Sequence, residues 1–111
     1  MTLLEKIKGA PATITFQEVM EYIDENYDFT PTGFTNGKTI NEPGQNNGSC
    51  KIFSFAQLHN LSKEEALNLF GEIYRVDVLE DPNGTGHQNI RNFMETGWEG
   101  IEFHGNALKI K

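Results

Sequence analysis

The spacing of hydrophobic positions predicts a chain made mostly of helices. Apolar side chains recur every three or four residues from Phe16 to Tyr27, and acidic side chains fill the opposite face, the pattern of an amphipathic helix. Three segments open with Ser/Thr-x-x-Glu, the signature of a capping box at a helix start. Gly71 lies inside one helical pattern and indicates close backbone packing there. The predicted helices span residues 3–8, 16–27, 50–59, 63–79 and 87–96.

The end of the chain follows a different period. From Ile101 to Ile110, apolar residues occupy every second position on both sides of Gly105-Asn106, which predicts a β-hairpin. The Asn36-Gly37 pair predicts a second two-residue turn. We therefore expect a mainly helical α+β fold, with about four to five helices, in a single domain spanning 1–111. Its small antiparallel sheet is expected to form from residues near 34–40 and 101–110.

Composition narrows the class of protein. The chain has 111 residues, 37% hydrophobic content, a net charge of −7 and one cysteine. An acidic chain repels nucleic acid and anionic lipid, so we expect neither as a partner. A lone cysteine forms no internal disulfide, and no stretch approaches the length of a membrane span. These features predict a small acidic protein that is a monomer or a weak dimer.

Residues 28–49 are rich in Gly, Pro and Asn and poor in apolar side chains. Long segments of this kind are usually functional or mobile. The run at its end supplies the main candidate binding residues, and Ser49 is the expected N-cap of the next helix, whose free N–H groups would favour an anion. The alternative is that the same amides only fix the loop to the body of the protein. The candidates in this run are Gln45, Asn46, Ser49, Cys50 and Lys51.

The sequence supports a catalytic or metal-binding site less well than it supports the binding residues above. Cys50 at a helix start would make a thiolate nucleophile if His59, His87 or His104 served as its base, but lone cysteines are mostly small buried hydrophobes. The same four residues match no zinc spacing. The loop that begins at Asp81 resembles the start of a calcium loop but lacks its final glutamate. We assign no catalytic residue and expect no metal and no cofactor.

Several runs distributed over nearly the whole chain carry a family resemblance. They are Tyr27-Asp-Phe-Thr-Pro31, Phe34-x-Asn-Gly37, Gly44-Gln-Asn-x-Gly-Ser-Cys-Lys51, Leu61-Ser-x-Glu-Glu-Ala-Leu-x-x-Phe-Gly-x-x-Tyr-Arg75 and His87-x-Asn-Ile-Arg91. Together they resemble the HopJ (HopPmaJ) type III effector family, named after a protein that plant-pathogenic pseudomonads deliver into host cells. The resemblance implies a small single domain with no agreed enzymatic activity. It also implies a location in the bacterial cytoplasm, with delivery into a host cell if the protein is a true effector.

The resemblance marks further polar residues as family positions. A shared polar surface is one interpretation of them, and a buried salt bridge from Arg75 or Arg91 to Asp28 is the other. The polar family positions are Tyr27, Asn36, Gln45, Arg75, His87 and Arg91.

The leading hypothesis for the function is a protein-interaction or binding module that presents residues 28–49 to a host or bacterial partner. The alternative is a small-molecule pocket or cryptic enzyme around Gln45–Cys50.

Overall fold

The structure is a computed structural model that describes residues 2–111. Its helices are α1 (Leu3–Gly9), α2 (Phe16–Asn26), α3 (Asn47–Leu58), α4 (Lys63–Asn68) and α5 (Gln88–Thr96). A π-helix covers Ile73–Val78, and 3₁₀ helices cover Pro11–Thr13 and Gly97–Gly100. The strands are β1 (Tyr27–Phe29), β2 (Phe34–Asn36), β3 (Thr39–Asn41), β4 (Ile101–Phe103) and β5 (Leu108–Ile110). The predicted mainly helical α+β fold is confirmed.

Three helices begin as their sequences predict. Each opens with a complete capping box, in which the hydroxyl accepts the N–H of the glutamate and the glutamate accepts the N–H of the capping residue. This arrangement satisfies two backbone donors that a helix start otherwise leaves free. The three boxes are Thr2–Glu5 at α1, Thr15–Glu18 at α2 and Ser62–Glu65 at α4.

The strands form two small antiparallel sheets. One has the order β3-β2-β4 and the other pairs β1 with β5. The predicted hairpin of the tail is therefore wrong, because β4 and β5 each pair with a strand from the 27–41 region. Alternation shows that a strand has one buried face but does not identify its partner. The β2–β3 hairpin does form, although Asn36 pairs with Thr39 and the turn residues are Gly37 and Lys38.

The predicted central helix α3 forms the middle of the core. Ile52, Phe53, Phe55 and Ala56 on this helix are fully buried. The ring of Phe53 lies within 4.8–6.3 Å, centroid to centroid, of four other aromatic rings. These contacts join α3 to β2, to the segment after α4, to α5 and to the 3₁₀ helix that follows α5. The rings that surround Phe53 are those of Phe34, Phe70, Phe93 and Trp98.

The single long helix predicted over 63–79 is wrong, because the chain breaks in its middle. Helix α4 ends at Asn68, and the π-helix starts at Ile73. Gly71 between them has a φ of +60°, and a Cβ there would lie 2.5 Å from the backbone nitrogen of Phe16. The left-handed backbone of Gly71 ends the α-helix and lets the start of α2 approach closely. The close packing that Gly71 indicated is confirmed.

Candidate functional site

The first turns of α3 and α5 meet at a cleft of about 330 Å³. Two segments that lie some forty residues apart in the sequence supply its polar side, and β3 supplies Thr39. Apolar side chains from α2 and from the chain around the π-helix complete the lining. The residues that line the cleft are Phe16, Thr39, Asn46, Gly48, Ser49, Phe70, Ile73, His87, Gln88, Asn89 and Ile90.

The residue immediately before each of these two helices has a left-handed backbone. Asn46 before α3 has φ/ψ of 53°/49°, and His87 before α5 has 56°/49°. Within the described chain, no side chain caps either helix, unlike the three helices with capping boxes. The expectation that Ser49 is the N-cap is wrong. The left-handed Asn46 starts α3 three residues earlier, so Ser49 lies in the first turn and lines the cleft.

The lining of the cleft contains no Asp, Glu, Lys or Arg among the described residues. Ionisable groups nevertheless adjoin it. The lining residue His87 has its Nε2 3.8 Å from Asp77 Oδ2, with both side chains about half exposed, and the Glu72 carboxylate accepts the N–H of the lining residue Phe16 at 3.0 Å. Helix N-termini carry partial positive charge and unpaired N–H groups. The polar side of the cleft therefore offers hydrogen-bond donors, and it does so without a lysine or arginine among the described lining residues.

A network of asparagine amides lies behind the polar side of the cleft. Asn36 and Asn41 are buried on β2 and β3, and Asn89 is buried in the first turn of α5. Asn36 Nδ2 donates to Asn89 O (2.7 Å) and to Asn89 Oδ1 (3.0 Å). Asn46 Nδ2 donates to Asn41 Oδ1 at 2.7 Å. The predicted site residue Asn36 thus holds the cleft from behind and does not line it.

Asn41 and Asn89 are functional candidates that the sequence analysis missed. The sequence carried no signal for Asn41, because the alternation Thr39-Ile40-Asn41 predicts that the apolar Ile40 faces inward, whereas the structure buries Asn41 and leaves Ile40 67% exposed. Asn89 lies inside the His87–Arg91 run that carried the family resemblance. Membership of that run does not show which amides meet, since that depends on how β3 packs against α5.

Three candidates from the Gly44–Lys51 run lie away from the cleft. Gln45 Oε1 accepts the N–H of Glu42 at 3.0 Å and closes a turn. The Cys50 thiol is 1% exposed and burial raises its pKa, which disfavours the thiolate. Lys51 forms an ion pair with Asp24 at 2.8 Å and stands 5.0 Å above the ring of Phe29. These residues stabilise the loop and its junction with α2.

The expected salt bridge to Asp28 is wrong within the described chain. Arg75 Nη2 instead donates to the carbonyl of Ile14 at 2.7 Å, which ties the π-helix to the start of α2. Tyr27 is likewise engaged elsewhere, since its hydroxyl is hydrogen-bonded to His59 Nε2 at 2.8 Å. The polar family positions therefore do not form one continuous surface.

Arg91 holds the loop before α5. Its Nε donates to the carbonyl of Gly86 at 2.6 Å and its Nη1 donates to the carbonyl of Asp81 at 2.9 Å. The guanidinium thus binds loop carbonyls in the segment that resembled the start of a calcium loop.

Over residues 2–111, no group of three or more His, Cys, Asp or Glu side chains is arranged to hold a metal ion. Over the same residues, no helix has the length and apolarity needed to cross a membrane.

Comparison with known proteins identifies the family. The family model described as HopJ type III effector protein matches residues 1–108. The chain belongs to the HopJ family. The structure also superimposes with a TM-score of 0.97 on a crystal structure described as that of the unknown function protein VPA0580. That protein is 53% identical, and the alignment covers 100% of this chain and 95% of the other. No curated protein matches this HopJ chain.

Proposed function

We propose that this HopJ protein binds a small organic acid in the cleft between α3 and α5. The observation that carries the proposal is the cleft itself, where residues of the Gly44–Lys51 and His87–Arg91 runs meet beside apolar side chains. A concave site with apolar lining and a few convergent polar groups is the usual form of a small-molecule site. Of the two hypotheses from the sequence, the cleft favours the small-molecule pocket.

The apolar wall and the volume indicate the size of the ligand. About 330 Å³ is at the lower end of the range for small-molecule sites, roughly 300–1,000 Å³. Phe16 and Ile73 are partly buried and pack against the core, and Phe70 is buried. These side chains suit one small ring or a short branched chain, whose burial would contribute about 25 cal/mol per Å² of apolar surface.

The polar wall indicates the charge of the ligand. Two helix N-termini point their partial positive charge at the same cleft, and each is worth about 0.3–1 kcal/mol to a nearby anion. The Ser49 hydroxyl adds a donor, and the described lining residues place no carboxylate in the cleft to compete. The absence of Lys and Arg from the same lining favours a singly charged carboxylate over a doubly charged phosphate. The net charge of −7 opposes any anion at long range, so we expect modest affinity.

The test is an NMR titration of uniformly ¹⁵N-labelled protein with benzoate, with neutral benzamide as the matched ligand and phenyl phosphate as the third. We expect benzoate to shift the amide signals of Gly48, Ser49, Gln88 and Asn89 in one saturable process. Benzamide should bind more weakly by about fivefold or more, because it lacks the charge that the helix ends favour. Stronger binding of phenyl phosphate would replace carboxylate by phosphate as the ligand class.

Two variants locate the binding. Ser49→Ala removes a hydroxyl, and His87→Asn removes the imidazole while Asn tolerates the left-handed backbone. Both should weaken benzoate binding, whereas Gln45→Ala in the same loop should not, because its side chain contacts Glu42. Failure of all three ligands to shift the cleft amides, or equal binding of benzoate and benzamide, would contradict the proposal.

A protein partner is the second candidate, favoured by one observation. Ile40 is 67% exposed on β3, which lies at the edge of its sheet. An exposed edge strand with an apolar side chain is a common docking surface. If β3 docks a partner, Ile40→Lys should abolish capture of that partner while leaving benzoate binding unchanged. Delivery into a host cell is a separate proposal suggested by the family, and a type III secretion assay tests it.

A further inference from the structure

We infer that Asn41 is a positioning residue that fixes the two helix ends of the cleft relative to each other. The consequence for ligand binding rests on the proposed function, whereas the geometric part stands on the structure alone. Asn41 is 1% exposed and does not line the cleft. It nevertheless contacts the start of α3 and the start of α5 through one atom.

The bridge between the helices is a shared acceptor. Asn41 Oδ1 accepts a hydrogen bond from Asn46 Nδ2 at 2.7 Å and another from Asn89 Nδ2 at 3.0 Å. Asn46 precedes α3, and Asn89 lies in the first turn of α5. A carbonyl oxygen has two lone pairs, so one amide oxygen satisfies both donors. This oxygen therefore links the residue before α3 to the first turn of α5.

The orientation of the Asn41 amide is itself fixed. Its Nδ2 donates to Asn89 Oδ1 at 3.1 Å and to the carbonyl of Phe34 at 3.3 Å. Asn41 and Asn89 thus form a reciprocal pair of amide hydrogen bonds, and Asn36 donates to the same Asn89 oxygen. The β2–β3 hairpin acts as the scaffold of the cleft, because it supplies both amides that hold α5.

The network also restricts how Asn46 can meet a ligand. Its Nδ2 uses one N–H group in the bond to Asn41, so its second N–H and its Oδ1 remain for other partners. Because the bond to Asn41 holds the amide plane in place, replacing Asn41 would release the Asn46 amide to rotate.

The network carries a cost in stability. Asn36 Oδ1 is buried and has no hydrogen-bond partner among the described residues, and neither has Arg75 Nη1 on the π-helix. An unsatisfied buried polar atom lowers stability. Such an atom therefore does not by itself distinguish the cleft from the rest of the protein.

The test compares Asn41→Ala and Asn41→Leu with Tyr27→Phe. The last variant loses one part-buried hydrogen bond, to His59, away from the cleft, and controls for general loss of stability. All spectra are recorded at a temperature where each variant is folded. In both Asn41 variants, the first-turn amides of α3 and α5 should shift together and broaden, and Tyr27→Phe should leave them unchanged. Asn41→Leu removes the shared acceptor but keeps approximately the size of the side chain, so it guards against a cavity effect.

Two results would overturn the inference. One is a set of shifts confined to β3 and α5, with the start of α3 unaffected. The other is equal benzoate affinity in wild type and both Asn41 variants, where we expect a loss of about tenfold. If benzoate does not bind the wild-type protein, the proposed ligand class fails, and the coupled amide shifts still decide whether Asn41 bridges the helices.

Discussion

Replacing Gly71 with alanine should destabilise the protein strongly for two reasons, an unfavourable backbone conformation and steric contact of the added Cβ. Gly71 has a φ of +60°, a region where an L-residue costs about 1–2 kcal/mol. The added Cβ would also lie 2.5 Å from Phe16 N, 2.9 Å from Thr15 C and 3.0 Å from Ile14 O. All three atoms are backbone, so no side chain can rotate away to relieve the contact.

The magnitude follows from adding these terms. Forcing extra volume into a packed interior costs about 1–3 kcal/mol, which brings the total to about 2–5 kcal/mol with the backbone term. A domain of this size has only about 5–15 kcal/mol of stability. Since 1 kcal/mol shifts the melting midpoint of a small domain by roughly 4–8 °C, Gly71→Ala should lower it by roughly 10 °C or more.

Urea and thermal denaturation followed by circular dichroism measure this effect. Gly9→Ala is the matched control, because nothing lies within 4 Å of its Cβ position and its φ lies outside the left-handed region. Alanine at that helical position should leave stability unchanged or raise it by up to about 1 kcal/mol. If Gly71→Ala lies within about 0.5 kcal/mol of wild type, the range of an ordinary surface substitution, the explanation of the break between α4 and the π-helix is refuted.

Two further predictions concern titratable groups. Cys50 should react with a thiol reagent at least about a hundredfold more slowly in the native protein than in denaturant. The reason is that Cys50 is 1% exposed and that burial raises its pKa. Fast labelling of the native protein would contradict the buried position of Cys50. Burial alone would raise the pKa of Glu18, but the Lys6 ion pair and the capping bonds outweigh it and hold the pKa below its ordinary value of 4.5. The Lys8 ion pair, together with capping bonds, lowers the pKa of Glu65 below the same value. The stability that both carboxylates contribute is present above pH 4.5 and is lost as the pH falls below that value. The urea midpoint of the wild-type protein should therefore decline below pH 4.5. It should decline less in a variant that carries both E18Q and E65Q.

Local sequence signals predicted most of the helices because the causes are local. The capping boxes at Thr2, Thr15 and Ser62 fix where three helices start, through contacts only three residues apart. The run of apolar residues around Phe53 predicted a buried central helix, and that helix is the middle of the core. Such features need no knowledge of the rest of the chain.

The features that sequence reasoning missed depend on distant partners. The pairing of residues near 34–40 with the tail was expected and forms as β2–β4, yet β5 pairs with β1, which lies some eighty residues earlier, and not with β4. Gly71 was expected to continue a helix and instead ends it, because the approaching backbone is that of Phe16. The Asn41–Asn89 pair depends on the packing of β3 against α5. Each of these outcomes is decided by tertiary packing, which local spacing does not encode.

The most direct measurement of the central proposal is a set of intermolecular nuclear Overhauser effects between benzoate and the protein. The proposed binding mode predicts contacts from the ring protons of benzoate to Phe16 and Ile73, together with a shift of the Ser49 amide signal. Contacts to a different surface, or a complete absence of contacts at saturating benzoate, would contradict the proposal that the cleft between α3 and α5 is a binding site for a small organic acid.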